Sequence, residues 1–337
     1  MSKPVKILIP MGGYGTRLRP LTWSKPKPLV SLAGKTVIDH VLDMFSSVPN
    51  FAAAEFVFSI NAQIENQIRE HMAKHHPEWK VAFPIDREMR GQSDAFWPAK
   101  DHLKGPLLVV FSDTIIETDF SFLDQEAADA VIWVKPVPDP RRFGVTVCDD
   151  ESWVTQLIEK PSEMHNNLAV VGCYYFRDAE KLLSAIKEQI DRELYLKGEF
   201  YLAEAINILL KRGLKIRVEK VDVWLDGGTP EALLDTNRYL LDHGCDNSEK
   251  LTDAENTVII APVSVHPAAR VQNSVIGPYV SLGEGAVVAG SLLKDSIIGP
   301  GAAITNSRLE SSLLGHNVTV SGQTGRLYLG DDSQAVG

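Results

Sequence analysis

Two hydrophobic patterns divide the chain near residue 250. Before it, short aliphatic and β-branched runs alternate with longer stretches whose apolar positions recur at helical spacing. Val5 to Pro10, Glu55 to Ile60, Trp79 to Ile85 and Pro106 to Phe111 read as strands. Thr36 to Phe45 reads as a helix with Val37, Ile38, Val41, Leu42 and Phe45 on one face. A polar helix ending near Lys74 and another over Ser93 to Leu103 follow. Strands dominate from Ala130 to Phe176. Helices return at Asp178 to Glu193, Leu202 to Arg212 and Pro230 to His243, the last with proline in its first turn. Strands separated by helices predict an α/β fold, a mixed, mainly parallel sheet with helices on both faces.

Beyond residue 250 helical spacing disappears and Lys294 is the one lysine. Three related segments appear: Ser274-Val275-Ile276-Gly277-Pro278, Ser296-Ile297-Ile298-Gly299-Pro300 and Ser312-Leu313-Leu314-Gly315-His316. Aliphatic residues recur at every sixth position, as in Ile276, Leu282 and Val288. A six-residue period with glycine after the aliphatic predicts a parallel β-helix with stacked interior side chains, in preference to an irregular β domain. The expected division is an α/β domain over residues 1–245, a β-helix over 251–325 and a polar tail over 326–337.

Composition narrows the function. A chain of 337 residues suits two domains, and 44% hydrophobic with 23% charged residues argues against general disorder. With 34 basic and 44 acidic side chains the net charge is −10. That excludes the broad positive surface of a nucleic-acid or anionic-membrane binder, but not a focused basic site. Cys148, Cys173 and Cys245 are far apart and form no metal-ligand spacing, which suits a reducing compartment. No apolar run approaches the ~18 residues of a membrane span, and the N-terminus has no signal-peptide core. The expectation is a cytoplasmic protein with neither membrane nor nucleic-acid partner.

The chemistry concentrates at the end of the first strand. Residues 10–28 read Pro-Met-Gly-Gly-Tyr-Gly-Thr-Arg-Leu-Arg-Pro-Leu-Thr-Trp-Ser-Lys-Pro-Lys-Pro. A glycine-rich turn after a strand lets backbone N–H groups approach phosphates. It sits beyond the carboxyl end of the strand, where open parallel sheets bind ligands. Arg17, Arg19, Lys25 and Lys27 follow closely, a cation density that calls for an anionic ligand. The spacing fits neither the P-loop nor the dinucleotide fingerprint.

Gly12-Gly13-Tyr14-Gly15-Thr16-Arg17-Leu18-x-Pro20 with Pro26-Lys27-Pro28 resembles the signature of the sugar-1-phosphate nucleotidylyltransferases. The resemblance extends from residue 5 to about 245 and implies a Rossmann-like catalytic domain. Many members also carry a C-terminal left-handed β-helix. It implies that Gly12, Gly13, Gly15 and Thr16 hold a nucleoside triphosphate, that Arg17 contacts its phosphates, and that Lys27 bridges nucleotide and sugar phosphates. Asp113, in Ser112-Asp113 where the family has Gly-Asp, and Asp226, in Trp224-Leu225-Asp226-Gly227-Gly228-Thr229-Pro230, are the implied Mg²⁺ ligands. Each could instead cap a loop or helix. Glu159-Lys160-Pro161 is similar to the family's sugar site, with Glu159 on sugar hydroxyls and Lys160 on the sugar phosphate. Gly144, Val171 and Gly172 match backbone contacts to the sugar. Glu199 matches a further hydroxyl ligand or caps the next helix.

Two positions depart from the family. The base-binding turn, commonly Gly-Thr-Ala-x-Ala, is Gly91-Gln92-Ser93-Asp94-Ala95, and Asp86 stands where pyrimidine-using members carry Gln. A carboxylate only accepts hydrogen bonds, and guanine offers it more donors than uracil. Gly198-Glu199-Phe200-Tyr201-Leu202 and Cys173-Tyr174-Tyr175-Phe176 resemble instead the glucose-1-phosphate branch that uses UTP or dTTP. The expected reaction is attack of the phosphate of glucose 1-phosphate on the α-phosphorus of UTP or dTTP, giving the nucleotide sugar and pyrophosphate. A mannose-1-phosphate guanylyltransferase using GTP, or a silent regulatory subunit of the same fold, is the alternative. A β-helix acyltransferase with His266 or His316 as base is a third reading. Flat coil faces and open ends further predict a homo-oligomer through the β-helix.

Overall fold

A computed structural model describes residues 4–250 and 256–337. By its contacts the chain divides into two compact units, Met1–Gly13 with Val41–Trp224, and Tyr14–His40 with Leu225–Gly337. This division differs from a boundary near residue 250. Residues 14–40 and 225–250 fold with the β-helix because both segments pack on its coils.

The first unit is a nine-stranded sheet. Its strands are β1 (Lys6–Met11), β2 (Glu55–Ile60), β3 (Lys80–Ala82), β4 (Leu107–Val110), β5 (Ala130–Pro136), β6 (Gly144–Cys148), β7 (Val154–Glu159), β8 (Leu168–Phe176) and β9 (Ile216–Lys220). The order is β7-β6-β8-β4-β1-β2-β3, with β5 paired to β8 and β9. β1 runs parallel to β2 and β4, whereas β8 is antiparallel to β4, β5 and β6. Alternation sorts the two faces. Leu8, Val57, Leu107, Val109, Ile132 and Val134 point to one. There they meet Leu182, Ala185 and Ile186 of a helix over Ala179–Asp191 and Leu202, Ile206 and Leu209 of one over Leu202–Lys211. On the other, Phe45 packs on Phe56 and Phe120, and Phe120 on Trp133, all fully or nearly buried. The mainly parallel α/β sheet expected from the pattern is present.

One expected helix is not. Ser93 to Leu103 forms two 3₁₀ turns, Asp94–Phe96 and Lys100–His102, with bonds such as Trp97 N–H to the Asp94 carbonyl at 3.0 Å. Pro98 has no N–H to complete an α-helical ladder.

The second unit holds the β-helix, three parallel sheets of five strands each. Ile276, Leu293 and Leu309 stack inside one face, Leu282, Ile298 and Leu314 inside the second, and Val288, Ile304 and Val320 inside the third. The six-residue period is therefore one interior side chain per face. Buried serines bridge coils at the corners. Ser274 Oγ donates to the Gln272 carbonyl and accepts the Ser291 N–H at 3.1 Å, and Ser291 and Ser307 repeat the pattern one coil on. Of the three related segments, Val275–Ile276 lies on a different face from the other two, so they mark the corner rather than one sheet. Residues 326–337 are not a tail. Tyr328–Leu329 and Gln334–Val336 pair in parallel with the preceding coil, and Leu327 and Leu329 pack against the β-helix core. A helix over Pro230–Leu240 completes the unit, its first turn capped by Thr229, which accepts the Ala232 N–H at 3.2 Å.

Candidate functional site

In the first unit the sheet's carboxyl edge carries most of the expected residues. Gly12 and Gly13 follow β1. Asn61, 3% exposed, donates to the Gly12 carbonyl at 2.9 Å and accepts the N–H groups of Gln63 and Ile64. Sequence reasoning missed Asn61; an Asn directly after an apolar strand was the available signal. A β-carbon on Gly13 would meet nothing within 4 Å, so its backbone faces open space.

Asp86 is buried, and its Oδ1 accepts the N–H groups of Glu88 and Met89 at 3.1 and 2.9 Å. Its Oδ2 lies 3.5 Å from where a Gly12 β-carbon would stand. Burial pushes its carboxyl above the usual range, against the two backbone bonds. Gly91 is needed on both counts, with φ +130° and a β-carbon position only 2.6 Å from Phe200 N. The altered turn has an internal partner: buried Asp94 accepts from the Arg90 guanidinium at 2.9 and 3.2 Å.

Asp113 sits just after β4, half-buried. The loop around it is strapped to β8. Phe111 N–H donates to the Gly172 carbonyl at 3.0 Å, and Thr114 Oγ1 donates to the Val171 carbonyl at 3.0 Å. Gly172 has φ +87°, and a β-carbon there would lie 2.8 Å from the Phe111 ring. The β8–β5 register shifts across this stretch. Val171 and Gly172, expected at the sugar, thus have carbonyls engaged in holding the Asp113 loop.

Glu159 ends β7 opposite Gly144. Burial pushes its carboxyl up to about 7; the charge of Lys160 opposes the rise and Glu199 adds to it. Lys160 is exposed and donates to the Tyr201 hydroxyl, with its ammonium 4.5 Å from that ring. The bond to Tyr201 pushes the Lys160 ammonium above its ordinary range. Glu199 is exposed in a turn closed by mutual Leu196 and Glu199 backbone bonds at 3.0 Å. The next helix has Tyr201 at its N-cap with no side-chain cap, so Glu199 does not cap it. Glu159, Lys160, Glu199 and Tyr201 therefore form one electrostatic cluster, of which sequence reasoning missed Tyr201.

The second unit carries the remainder. Gly15 has φ +61°, and a β-carbon there would lie 3.2 Å from Lys27 Cβ and Thr22 Cγ2. Thr22 Oγ1 donates to the Gly15 carbonyl at 2.7 Å. Thr16 and Arg17 begin a 3₁₀ turn with exposed side chains. Lys27 and Asp226 converge on Gly228: a β-carbon there would be 2.7 Å from Asp226 Oδ1 and 3.2 Å from Lys27 Nζ. Lys25, counted among cations for a ligand, instead pairs with Asp331 at 2.9 Å and is largely buried.

Among the described residues no group of three or more His, Cys, Asp and Glu is arranged to hold a metal. Nor is any described helix long and apolar enough to cross a membrane. Asp113 and Asp226 are hard oxygen donors, the ligand type of a cation that completes its shell with substrate phosphates and water.

A family model described as nucleotidyl transferase matches residues 6–243. The chain belongs to the nucleotidyl transferase family. Members similar to it include the bifunctional protein GlmU of Methanocaldococcus jannaschii, 33% identical over 264 residues. That match takes in 78% of this chain, which thereby spans 60% of that relative's length. The UTP–glucose-1-phosphate uridylyltransferase AglF of Haloferax volcanii is 30% identical over 65% of this chain and 89% of its own. The glucose-1-phosphate thymidylyltransferase of Streptomyces antibioticus is 30% identical over 87% of each chain. A solved structure from Bacillus anthracis, provisionally named a glucose-1-phosphate thymidylyltransferase and bound to sucrose, aligns with a TM-score of 0.60. It covers 70% of this chain and 94% of that one at 23% identity, a likeness of fold. As a member of this family the protein is a nucleotidyltransferase.

Proposed function

We propose that this nucleotidyltransferase moves a nucleotidyl group from UTP or dTTP to glucose 1-phosphate, with release of pyrophosphate. The pyrimidine choice is supported by the relatives named for uridylyl and thymidylyl transfer, and Asp86 supplies an acceptor beside the glycine turn. One carboxylate oxygen is taken by the Glu88 and Met89 N–H groups, which leaves Oδ2 toward the Gly12 turn. Oδ2 can accept the ring N–H of uracil or thymine. The relatives named for glucose 1-phosphate support the sugar.

The main obstacle in this reaction is bringing two anions together, so positioning and charge stabilisation carry it. In this reading Gly12, Gly13, Gly15 and Thr16 present backbone N–H groups to the triphosphate. Arg17 neutralises the leaving pyrophosphate, and Lys27 offsets charge between the reactants. Glu159 and Glu199 accept bonds from sugar hydroxyls beside Gly144. Lys160, steadied by Tyr201, meets the sugar phosphate. Asp113 and Asp226 are the carboxylates for Mg²⁺, which when bound supplies positive charge to phosphate oxygens. The β-helix carries self-association, and light scattering on the full chain tests this; a monomer at working concentration overturns it.

The test of the reaction is a panel of ATP, GTP, UTP and dTTP against glucose, mannose and N-acetylglucosamine 1-phosphates, read by pyrophosphate release. Fastest turnover with UTP or dTTP and glucose 1-phosphate is expected. GTP with mannose 1-phosphate as the best pair overturns the substrate assignment.

A further inference from the structure

We propose that Asp331, in the last coil of the β-helix, is a positioning residue for the loop of residues 14–27. The inference rests on the reading that this loop holds the triphosphate. Asp331 Oδ1 lies 2.9 Å from Lys25 Nζ, and the two side chains are only 10% and 9% exposed. Ser24 Oγ donates to Asp331 Oδ2 at 2.5 Å, and the His316 N–H donates to Oδ1 at 2.7 Å. One residue earlier, Gly330 presses on the same loop: a β-carbon there would stand 2.6 Å from the Pro20 carbonyl oxygen. Gly315 closes the far side, its β-carbon position lying 2.3 Å from Asp331 Oδ1. The carboxylate is therefore held by its own coils and by two side chains of the loop.

Burial and pairing explain why the contact is directional. A buried ammonium without a partner is costly, so Lys25 stays where Asp331 is. Burial lowers Lys25 from its ordinary range while Asp331 pulls the other way. For Asp331 burial is opposed by the bonds from Ser24, Lys25 and His316, which together hold it below the usual carboxylate range. The position of Lys25 is then passed to Lys27 through a stiff link. Pro26 fixes its own φ at −67°, and Lys27–Leu29 form a 3₁₀ turn closed by Leu29 N–H to the Pro26 carbonyl at 2.9 Å. At the other end Thr22 ties the loop to Gly15. The loop is thus braced twice ahead of Lys27, once internally and once by the β-helix. Asp331 touches no reacting atom in this arrangement; it acts through Lys25 and Ser24.

The test uses the full chain with Asp331→Asn, Ser24→Ala and the double variant Lys25→Met/Asp331→Asn. Hydrogen exchange over residues 14–27, KM for each substrate and Tm are read. Asp331→Asn should speed loop exchange and raise KM for the nucleotide about tenfold, the scale of a lost charge-assisted bond. Lys27 stands between both reactants, so KM for the sugar phosphate should rise as well, within the same scale. The double variant removes the stranded ammonium, so Tm should recover while the nucleotide KM stays raised; a merely structural role would restore both. Ser24→Ala strands no charge and should raise the nucleotide KM about threefold, which keeps the test open if Asp331→Asn does not fold. Unchanged loop exchange in both single variants overturns the proposal, as does faster exchange with an unchanged nucleotide KM. A wild type that turns over none of the panel sinks the proposed reaction alone, since loop exchange still reads the brace.

Discussion

Glu159 and Gly144 meet across the antiparallel pair β6–β7, with Glu159 Oε2 2.9 Å from the place a β-carbon on Gly144 would occupy. Only glycine leaves the carboxylate in that position. Gly144→Ala should turn it aside and raise KM for the sugar 1-phosphate about tenfold, the scale of one hydrogen bond to a charged group. Steady-state kinetics would read this, with Tm nearly unchanged. An unaltered KM would remove Glu159 from the sugar site.

The raised pKa of Glu159 gives two pH effects of fixed sign. Its folded value of about 7 exceeds the ordinary glutamate value of 4.5. The folded state therefore holds the proton longer, and stability contributed by this group falls as pH rises from about 4.5 to about 7, then levels. Glu159→Gln should thus gain Tm relative to the wild type as pH rises through that window. Binding runs the other way, because the ionised form is the better acceptor: KM for the sugar phosphate should fall toward pH 8. Parallel Tm curves for the two proteins across the window would contradict the first effect.

Lys27 and Asp226 share Gly228 as their common neighbour. Lys27→Ala and Asp113→Ala should each cut turnover by about 10²-fold, the scale of a preorganised charge-stabilising group. Gly228→Ala should lower activity in the same direction, since Asp226 has a short side chain that cannot move clear of the new methyl. Pyrophosphate release near the wild-type rate in Lys27→Ala would sink its assigned role.

Asp295 accepts a bidentate pair from Arg238 and a bond from Ser311 at 2.7 Å. It joins the helix that follows Asp226 to a β-helix corner. Asp295 is 6% exposed and has φ +48°, a conformation that asparagine tolerates. Asp295→Asn should therefore cost about 1–2 kcal/mol through the lost charge on a partly exposed pair. Thermal unfolding would measure it, and a change under a few tenths would show the pair to be idle.

What the sequence disclosed was local. The glycine turn after β1 and the Asp226 loop are continuous strings, and the β-helix declares itself through Ile276, Leu282 and Val288 because one interior side chain per face recurs along the chain. What it concealed depends on residues far apart. Lys25 looks like a ligand cation until Asp331 arrives from the last coil. Asp94 looks like an altered base contact until Arg90 is seen to hold it. Residues 326–337 read as a tail because Leu327 and Leu329 are few among polar neighbours, yet the coil beneath supplies the pairing. The Ser93–Leu103 segment has helical spacing, but Pro98 removes the bond that would sustain it.

The unit that carries Lys27 is assembled from Tyr14–His40 and Leu225–Gly337. During synthesis the first of these leaves the ribosome long before the second exists. At ~5–20 residues per second, Ser24 waits roughly 15–60 s for Asp331. Until then Lys25 lacks its countercharge, although most of the coils are already made. The order of manufacture therefore makes Asp331 a late anchor: a chain that stops short of it has most of its β-helix but not the carboxylate that holds Ser24 and Lys25.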